Sequence, residues 1–388
     1  MKFGLELPPH LRVFAGFFLY SFCMGSIYPR LPDIQREMGV QEGALGLALI
    51  GAAVGTLITL TFGGALIEKI GHRRVLLIGI PLLAVFYALA SFANGPLTFF
   101  LLLVPVGLTI GGIEVAVNLE ADRVEHALGR RIMNRAHGFW SIGFFTSGLV
   151  SSFIAQAGLS PHWHLLLMVP VVALSTALIL GGFTAAEHRT GGSTDDGPRF
   201  NRPTVAILIL VGVTVSAMVM EGAGIDWSAI YMKKLFAVEP FWAGFAVAIG
   251  AGAQALARFF ADRFVERYSP ANVARTLLGI LGLGVVLVFF SQRPWLSLAG
   301  FAMMGVGTSA IFPLAMSAAA QRTDRPAAVN VAALAQTAFV AFLLGPPLLG
   351  FIAEHFGIRW AFGIGIPLVA ISLLSTGSLS SKAKAVTA

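Results

Sequence analysis

Two carboxylic acids of this chain each follow a stretch of seventeen uncharged residues. Glu114 comes directly after the apolar run 97–113, and Glu221 comes directly after the run 204–220. A carboxylate inside a bilayer costs about 2.5–3.5 kcal/mol, so it is expected to face a cavity, pair with a cation or take up a proton. We predict that Glu114 and Glu221 couple proton movement to a conformational change. The alternative for Glu114 is a structural pair with a basic residue such as Arg135 or His137.

Further polar residues share a helix face with Glu114. Asn118 and Asp122 follow it at intervals of four residues, which places all three on one side of a helix. An amide donates and accepts hydrogen bonds, so Asn118 suits a ligand with hydroxyl groups. Asp122 is close to Arg123 and Arg130 and is interpreted as part of a surface charge network.

Glycines follow the second acid. Gly222 and Gly224 come directly after Glu221, and they predict a break in the helix. Broken helices line transport cavities, because their freed backbone groups need polar partners. At about 100° per residue, Asp226 points roughly 140° away from Glu221. Asp226 is therefore assigned to the outer rim, with Lys233 and Lys234.

Residues with amide or aromatic side chains complete the candidate site. Gln254 lies deep in an apolar run, whereas Arg258 and Asp262 are spaced for an ion pair that would act as a latch between helix ends. Aromatic rings stack on flat apolar faces of ligands, although each ring alone is more often a packing residue. The predicted substrate-binding residues are Tyr20, Tyr28, Asn118, Trp140, Phe144, Gln254, Asn330, Gln336 and Phe339.

The elements that must position these residues are membrane helices. The chain of 388 residues is 56% hydrophobic and only 12% charged, whereas soluble domains carry about 25% charged residues. Twelve uncharged runs are long enough to span a bilayer when extended into their flanks. The runs are continuous and do not alternate, which excludes a β-barrel. The sequence therefore predicts an all-α protein with twelve transmembrane helices.

The basic residues predict the orientation. If the N-terminus is cytoplasmic, 20 of the 26 Lys and Arg residues fall in cytoplasmic segments. The exceptions are Arg30, Arg36, Lys233, Lys234, Arg293 and Arg359. Positive residues favour the cytoplasmic side, so both termini are predicted to be cytoplasmic. This placement also accounts for the net charge of +7 without nucleic-acid binding.

The chain divides at a polar segment near its middle. The segment 187–203 is rich in Gly, Ser, Asp and Pro, and it predicts a cytoplasmic linker between two six-helix bundles, residues 1–186 and 204–388. An internal repeat supports the division. The stretch 66–71, LIEKIG, aligns with 264–269, FVERYS, and each copy follows the second helix of its half.

A charged turn carries a resemblance to a known family. Residues 63–76 read GGALIEKIGHRRVL and match the pattern G-x-L-x-D-R-x-G-R-R/K-x-x-L, with Glu68 and Lys69 replacing the usual Asp and Arg. Together with the twelve helices, this turn resembles the major facilitator superfamily. The resemblance implies alternating access between two bundles. It also implies that Glu68, Lys69, Arg73 and Arg74 form contacts that close the cytoplasmic side. The alternative is a solvated loop that only sets the orientation.

Other stretches resemble one branch of that family. Residues 114–121, 129–143 and 221–231 are similar to the bacterial YbjJ-like permeases, which are near the fucose:proton symporter group. The resemblance implies a secondary transporter of the inner membrane that moves a small polar organic solute, a sugar or a related metabolite, by proton symport. Proton antiport is the alternative, although helix five lacks the Gly-Pro pair typical of antiporters. A non-transporting receptor or a lipid-handling protein is the alternative of another class.

No enzyme or cofactor motif is found in the sequence. The chain lacks a G-x-x-x-x-G-K-[ST] phosphate loop, so an ATP-driven mechanism is not predicted. His162 and His164 have no neighbours that would complete a metal site. We expect no cofactor and no metal, with protons, the solute and membrane lipid as partners of a monomer.

Overall fold

The computed structural model describes residues 5, 7–130, 132–186 and 202–379, with the side chains of 134, 261, 262 and 328 outside that description. Within this part the chain is helical and contains no strand. The helices are α1 Pro9–Met24, α2 Leu31–Met38, α3 Glu42–Phe62, α4 Gly64–Ile70, α5 His72–Ala90, α6 Pro96–Leu128, α7 Met133–Gln156, α8 Pro161–Leu180, α9 Val205–Phe236, α10 Pro240–Arg267, α11 Pro270–Phe290, α12 Pro294–Thr308, α13 Ile311–Ala320, α14 Ala327–Phe356, α15 Ile358–Gly363 and α16 Gly365–Ser375.

These helices make twelve candidate membrane spans among the described residues, as the sequence predicts. Three spans are built from two helices each: α1 with α2, α12 with α13, and α15 with α16. The all-helical class with twelve spans is therefore confirmed.

Proline and hydroxyl residues begin many of the helices. Helices α6, α8, α10, α11 and α12 start at a proline, whose fixed φ suits the first helical position and whose missing N–H needs no partner there. The side chains of Ser160, Thr204 and Ser269 cap α8, α9 and α11 by accepting backbone N–H groups. The turns between spans are correspondingly short.

The alternation of the spans defines two sides of the molecule. We call the side where α1 begins the near side; it also holds Gly71, Gly129 and the turn 321–326. The far side holds Gly39, the turns 91–95, 157–160, 237–239 and 291–293, and Gly357. Gly71 and Gly357 adopt φ of 87° and 94°, a conformation that allows one residue to join two helices.

The two halves of the chain touch along two helix pairs. Helix α7 packs on α10, and α3 packs on α14. Gly148 lies against Ala248, and Gly46 approaches the backbone of Pro346 so closely that an added Cβ would be 2.5 Å from its carbonyl oxygen. Small residues permit such close contact where two membrane helices meet. The two copies of the proposed repeat end the second span of each half, in α4 and in α10.

Candidate functional site

Glu114 lies on α6 and faces α1 of the same half. Its carboxyl interacts with the hydroxyl of Tyr20. That hydroxyl also interacts with the side chain of Trp140 on α7. Oxygen Oε2 of Glu114 is buried and has no hydrogen-bond partner in the described part of the chain. A line of polar contacts therefore runs from Glu114 through Tyr20 to Trp140.

The alternative pairing of Glu114 with Arg135 or His137 is not what the structure shows. Arg135 is exposed, and the ring of His137 lies against Phe17 at a centroid distance of 5.0 Å. Asn118 donates from Nδ2 to the backbone oxygen of Glu114 at 2.8 Å. The Asn118 amide thus has one donor engaged within its own helix.

Glu221 forms a second polar cluster in the other half. Its Oε1 accepts a hydrogen bond from Nε2 of Gln254 at 2.9 Å, and the same nitrogen lies 3.3 Å from the hydroxyl of Thr308. Arg258 brings its Nη2 to 3.8 Å from the carboxylate. A carboxylate, an amide and a guanidinium thus converge on one point between α9, α10 and α12.

Arg258 also joins the two halves. Its Nη1 donates to the hydroxyl of Ser141 on α7 at 2.7 Å, and its Nε donates to the backbone oxygen of Ser309 at 3.2 Å. The prediction of a latch at the helix end misplaced this residue, because it reaches inward to Glu221. The side chain of Asp262, its expected partner, lies outside the described residues.

A cavity next to Glu221 lies between the halves and has an empty volume of about 430 Å³. We call it the Glu221 cavity; Trp140, Phe144, Glu221, Gln254 and Thr308 line it. The rings of Trp140 and Phe144 stack at a centroid distance of 5.4 Å. Because Trp140 also contacts Tyr20, the Glu114 contacts end at the wall of this cavity.

Helix α9 does not break at its glycines, contrary to the prediction. It is continuous over Val205–Phe236, with Gly222 buried and packed near Phe342. A continuous helix presents Glu221 to one cavity and Asp226 to another, since their directions differ by about 140°.

Asp226 is not at the outer rim, and this prediction is also wrong. It lines a second cavity of about 840 Å³, which we call the Asp226 cavity. The lining residues of the first half include Thr56, Tyr28, Tyr87 and Phe99; those of the second half include Asp226, Phe339, Phe342 and Pro346. The polar and charged residues of the segment 226–234 predict that the span has ended, whereas α9 continues for about three turns beyond Asp226.

The remaining predicted site residues have different positions. Tyr28 and Phe339 line the Asp226 cavity, and Tyr28 contacts Phe144 at a ring distance of 5.5 Å. Gln336 is half-buried on α14, and neither cavity has it among its lining residues. Asn330 is buried near the start of α14 and donates to Asp324 at 3.0 Å, so it organises the preceding turn.

That turn carries a charged pair on the near side. Arg322 donates two hydrogen bonds to the carboxylate of Asp324, at 3.0 and 3.2 Å. Together with the amide of Asn330, this contact lowers the pKa of Asp324 below its ordinary value.

The charged turn after α3 makes its described contacts within the first half. Glu68 pairs with Arg123 at 2.6 Å and with His72 at 3.6 Å. Arg73 donates to the backbone oxygen of Gly181 at 2.9 Å. Lys69 and Arg74 are exposed. This cluster ties α4 and α5 to α6 and α8.

Three residues of the site were not predicted. Tyr87 interacts with Tyr28, Thr308 contacts Gln254, and Ser141 contacts Arg258. Each lies within an apolar run without a charged neighbour, so the sequence gives little signal for it. The limited signal for Tyr87 is its rarity, since the chain has only 5 Tyr.

Comparison with known proteins identifies the family. The model described as Major Facilitator Superfamily matches residues 13–220 and 209–380. An uncharacterized MFS-type transporter of Yersinia pestis is 30% identical over 375 residues, which cover 96% of this chain and 94% of that protein. The uncharacterized transporter y4wD of Sinorhizobium fredii is 30% identical over 94% of this chain and 97% of its own length.

Solved structures share the fold. The nucleoside transporter NupG superposes with a TM-score of 0.68 at 16% identity, covering 96% of this chain and 98% of that one. A D-xylose-proton symporter gives a TM-score of 0.73 at 14% identity and covers 96% of each chain. The chain therefore belongs to the major facilitator superfamily, and it is a multi-pass membrane transporter and not an enzyme.

Proposed function

We propose that this protein is a secondary active transporter that moves a small polar organic solute, a sugar or a related metabolite, by proton symport. The observation that carries the proposal is a pair of carboxyl groups, one in each half, that both connect to the Glu221 cavity between the halves. Glu114 reaches the Glu221 cavity through Tyr20 and Trp140, and Glu221 lines that cavity directly. Each half thus has one carboxyl group whose protonation can change when a solute binds between the halves.

The contacts between halves support alternating access as the mechanism. On the far side, Lys234 pairs with Glu42 at 2.7 Å, and the backbone N–H of Gly43 donates to Glu354 at 2.8 Å. Gln156 accepts from the backbone of Phe241 at 3.1 Å on the same side. These contacts join the halves on the far side, and a transporter that works by alternating access must break them to open its cavities there.

Basic residues support the orientation of the proposal. The near side holds Lys69, Arg73, Arg123 and Arg130, which makes it the cytoplasmic side of a bacterial inner membrane. Both termini are then cytoplasmic. Both cavities lie within one chain, in accordance with a transporter that works as a monomer, built from bundles 1–186 and 204–388.

The comparisons support the solute class. One structural neighbour is named for nucleosides and another for D-xylose and protons, both of which are polar organic solutes. The finer resemblance to YbjJ-like permeases and the fucose:proton symporter group also favours a polar organic solute. Proton-antiport efflux is the competing proposal, and it differs in the direction in which protons and solute move.

Lipid handling is the alternative of another class, because one groove faces outward. The groove is apolar, has an empty volume of about 1220 Å³ and lies between α10 and α11; Leu256, Phe260 and Phe264 line it. All its lining residues belong to the second half. A groove within one half favours contact with membrane lipid, whereas the acidic cavities between the halves favour solute transport.

A proteoliposome experiment tests the proposal. Vesicles that contain the protein and an internal pH-sensitive dye are placed in acidic medium, and D-xylose, other sugars and nucleosides are added in turn. We expect one of them to accelerate acidification of the vesicle interior. If none does so, and if labelled solutes leave the vesicles in exchange for external protons, symport must be replaced by antiport.

A further inference from the structure

The Asp226 cavity has a carboxylate without a cationic partner. Among the described residues, Asp226 is the one charged group that lines the cavity, and no Lys, Arg or His lines it. Asp226 makes no ion pair with any described residue. A carboxylate with this environment pairs with an incoming cation or takes up a proton.

Five of the other seventeen residues that line the cavity are aromatic. Tyr28, Tyr87 and Phe99 line the cavity from the first half, and Phe339 and Phe342 line it from the second. The face of an aromatic ring attracts cations, and aromatic cages are the recurrent protein solution for binding organic ammonium groups. The wall and the carboxylate thus favour the same kind of ligand.

The polar groups of the cavity are too few for a solute with many hydroxyl groups. Besides Asp226, the lining side chains with oxygen atoms are Thr56, Tyr28 and Tyr87. Two of these, Tyr28 and Tyr87, already interact with each other. Burying a hydroxyl group without a hydrogen-bond partner costs free energy. The cavity offers too few partners to replace the water that a polyhydroxylated solute would lose.

A bare metal cation also fits poorly. Hard cations take six or more oxygen ligands, and the described residues contain no group of three or more metal-binding side chains. An organic ammonium ion is more weakly hydrated and carries apolar surface that can pack on Leu31, Leu49 and Leu103.

We infer that the transported solute is an organic cation whose ammonium group pairs with Asp226 inside this aromatic cavity. The inference rests on the proposed transport function; among the small polar organic solutes proposed above, it selects an organic cation in place of a sugar. Residues of both halves line the cavity. A bound cation would therefore contact both halves, which move relative to each other in alternating access.

The test is a binding measurement on the purified protein in detergent, which needs no transport. The probes are 2-phenylethylamine and the neutral 2-phenylethanol, which are matched in size, with empty micelles as the blank. The wild-type protein should bind the amine at least about tenfold more tightly than the alcohol. Asp226→Asn should remove this preference by weakening amine binding about tenfold, and Asp226→Glu should keep it.

Asp324→Asn is the matched control, because it removes a carboxylate that lies outside both cavities. It should leave the preference for the amine unchanged. Equal binding of amine and alcohol by the wild-type protein, or an undiminished preference in a folded Asp226→Asn variant, would overturn the inference. If the amine binds as expected while no solute drives proton flux, the transport proposal fails and the cation site stands.

Discussion

The Tyr20 hydroxyl connects Glu114 to the Glu221 cavity. It is buried on α1, between the Glu114 carboxyl on α6 and Trp140 on α7. A change of charge on Glu114 therefore acts first on Tyr20 and then on a ring that a bound solute would touch. We therefore propose that Tyr20 has a positioning role in proton coupling.

Replacing Tyr20 with Phe tests that role. The variant keeps the ring but loses the hydroxyl, and a hydrogen bond to a charged group contributes about 1.5–3 kcal/mol. We expect solute-driven proton flux to fall about tenfold or more while solute binding changes by less than about twofold. Dye-loaded proteoliposomes and a parallel binding assay measure the two quantities. A parallel loss of both would mean that Tyr20 only supports the fold.

Asn330 gives a contrasting prediction. Asn330→Ala removes its hydrogen bond to Asp324, so the unfolding free energy should fall by about 1 kcal/mol while proton flux is unchanged. The pKa of Asp324 is lowered in the folded state, so its contribution to stability is present above the unfolded pKa and is lost as the pH falls through the folded one. Thermal unfolding at several pH values measures this. A large loss of proton flux without a loss of stability would instead support the prediction that Asn330 binds the solute.

At this scale, the sequence predicts residues that interrupt an apolar run. Glu114, Glu221 and Gln254 are of this kind, and all three lie where solute or proton chemistry can occur. Asp226 was misplaced because charges that follow it suggested the end of the span. Tyr87 and Thr308 were missed because only the folded chain brings them to a cavity.

The helices are the elements that the sequence predicts best. Long apolar runs fix the number of spans, and prolines mark where many of them begin. The predicted break in α9 is wrong because packing overrides the weak preference of two glycines. Gly222 is buried, and a Cβ added there would be 3.6 Å from Phe342 of α14, so the helix packs against α14 without a break.

Another helix contact depends on glycine more strictly. Gly350 of α14 meets α3 of the other half, and an added Cβ would be 2.5 Å from the backbone oxygen of Glu42. Gly350→Val should therefore lower the unfolding free energy by about 1–3 kcal/mol, because the contact becomes overpacked. Thermal unfolding in detergent measures the effect.

A glycine of another helix provides the control. Gly279 lies within α11 and has open space around its Cβ position, so Gly279→Val should leave the melting temperature unchanged or raise it. Equal destabilisation by the two variants would show that helix propensity, and not contact between the halves, sets the cost.

At the scale of the whole molecule, we propose that the far-side contacts keep that side of the cavities closed. Glu42 is 4% exposed and relies on Lys234, whose side chain is 46% exposed, for its charge partner. Glu354 and Gln156 add contacts between halves on the same side. Pairing between distant segments such as these cannot be predicted from one sequence, because it depends on how the halves are oriented.

Lys234→Ala should open the far side. It leaves the Glu42 carboxylate buried and unpaired, which disfavours the closed arrangement. A reporter cysteine at Ala53, in a Cys23→Ala background, lies in the Asp226 cavity and reacts with an impermeant maleimide applied from the far side. We expect the labelling rate to rise about tenfold, which corresponds to about 1.4 kcal/mol.

The double variant Glu42→Gln with Lys234→Ala separates charge burial from loss of contact. It has no unpaired carboxylate, so its labelling rate should lie between those of the wild type and Lys234→Ala. Wild-type labelling in the single variant would mean that this ion pair does not hold the far side closed.

The measurement that tests the central claim most directly is solute-driven proton uptake by Glu114→Gln in dye-loaded proteoliposomes. The solute is whichever sugar, nucleoside or amine acidifies vesicles that contain the wild-type protein. Our account predicts that Glu114→Gln still binds that solute but no longer acidifies the vesicle interior, because the amide cannot carry a proton. Acidification at the wild-type rate and with the wild-type pH dependence would contradict it.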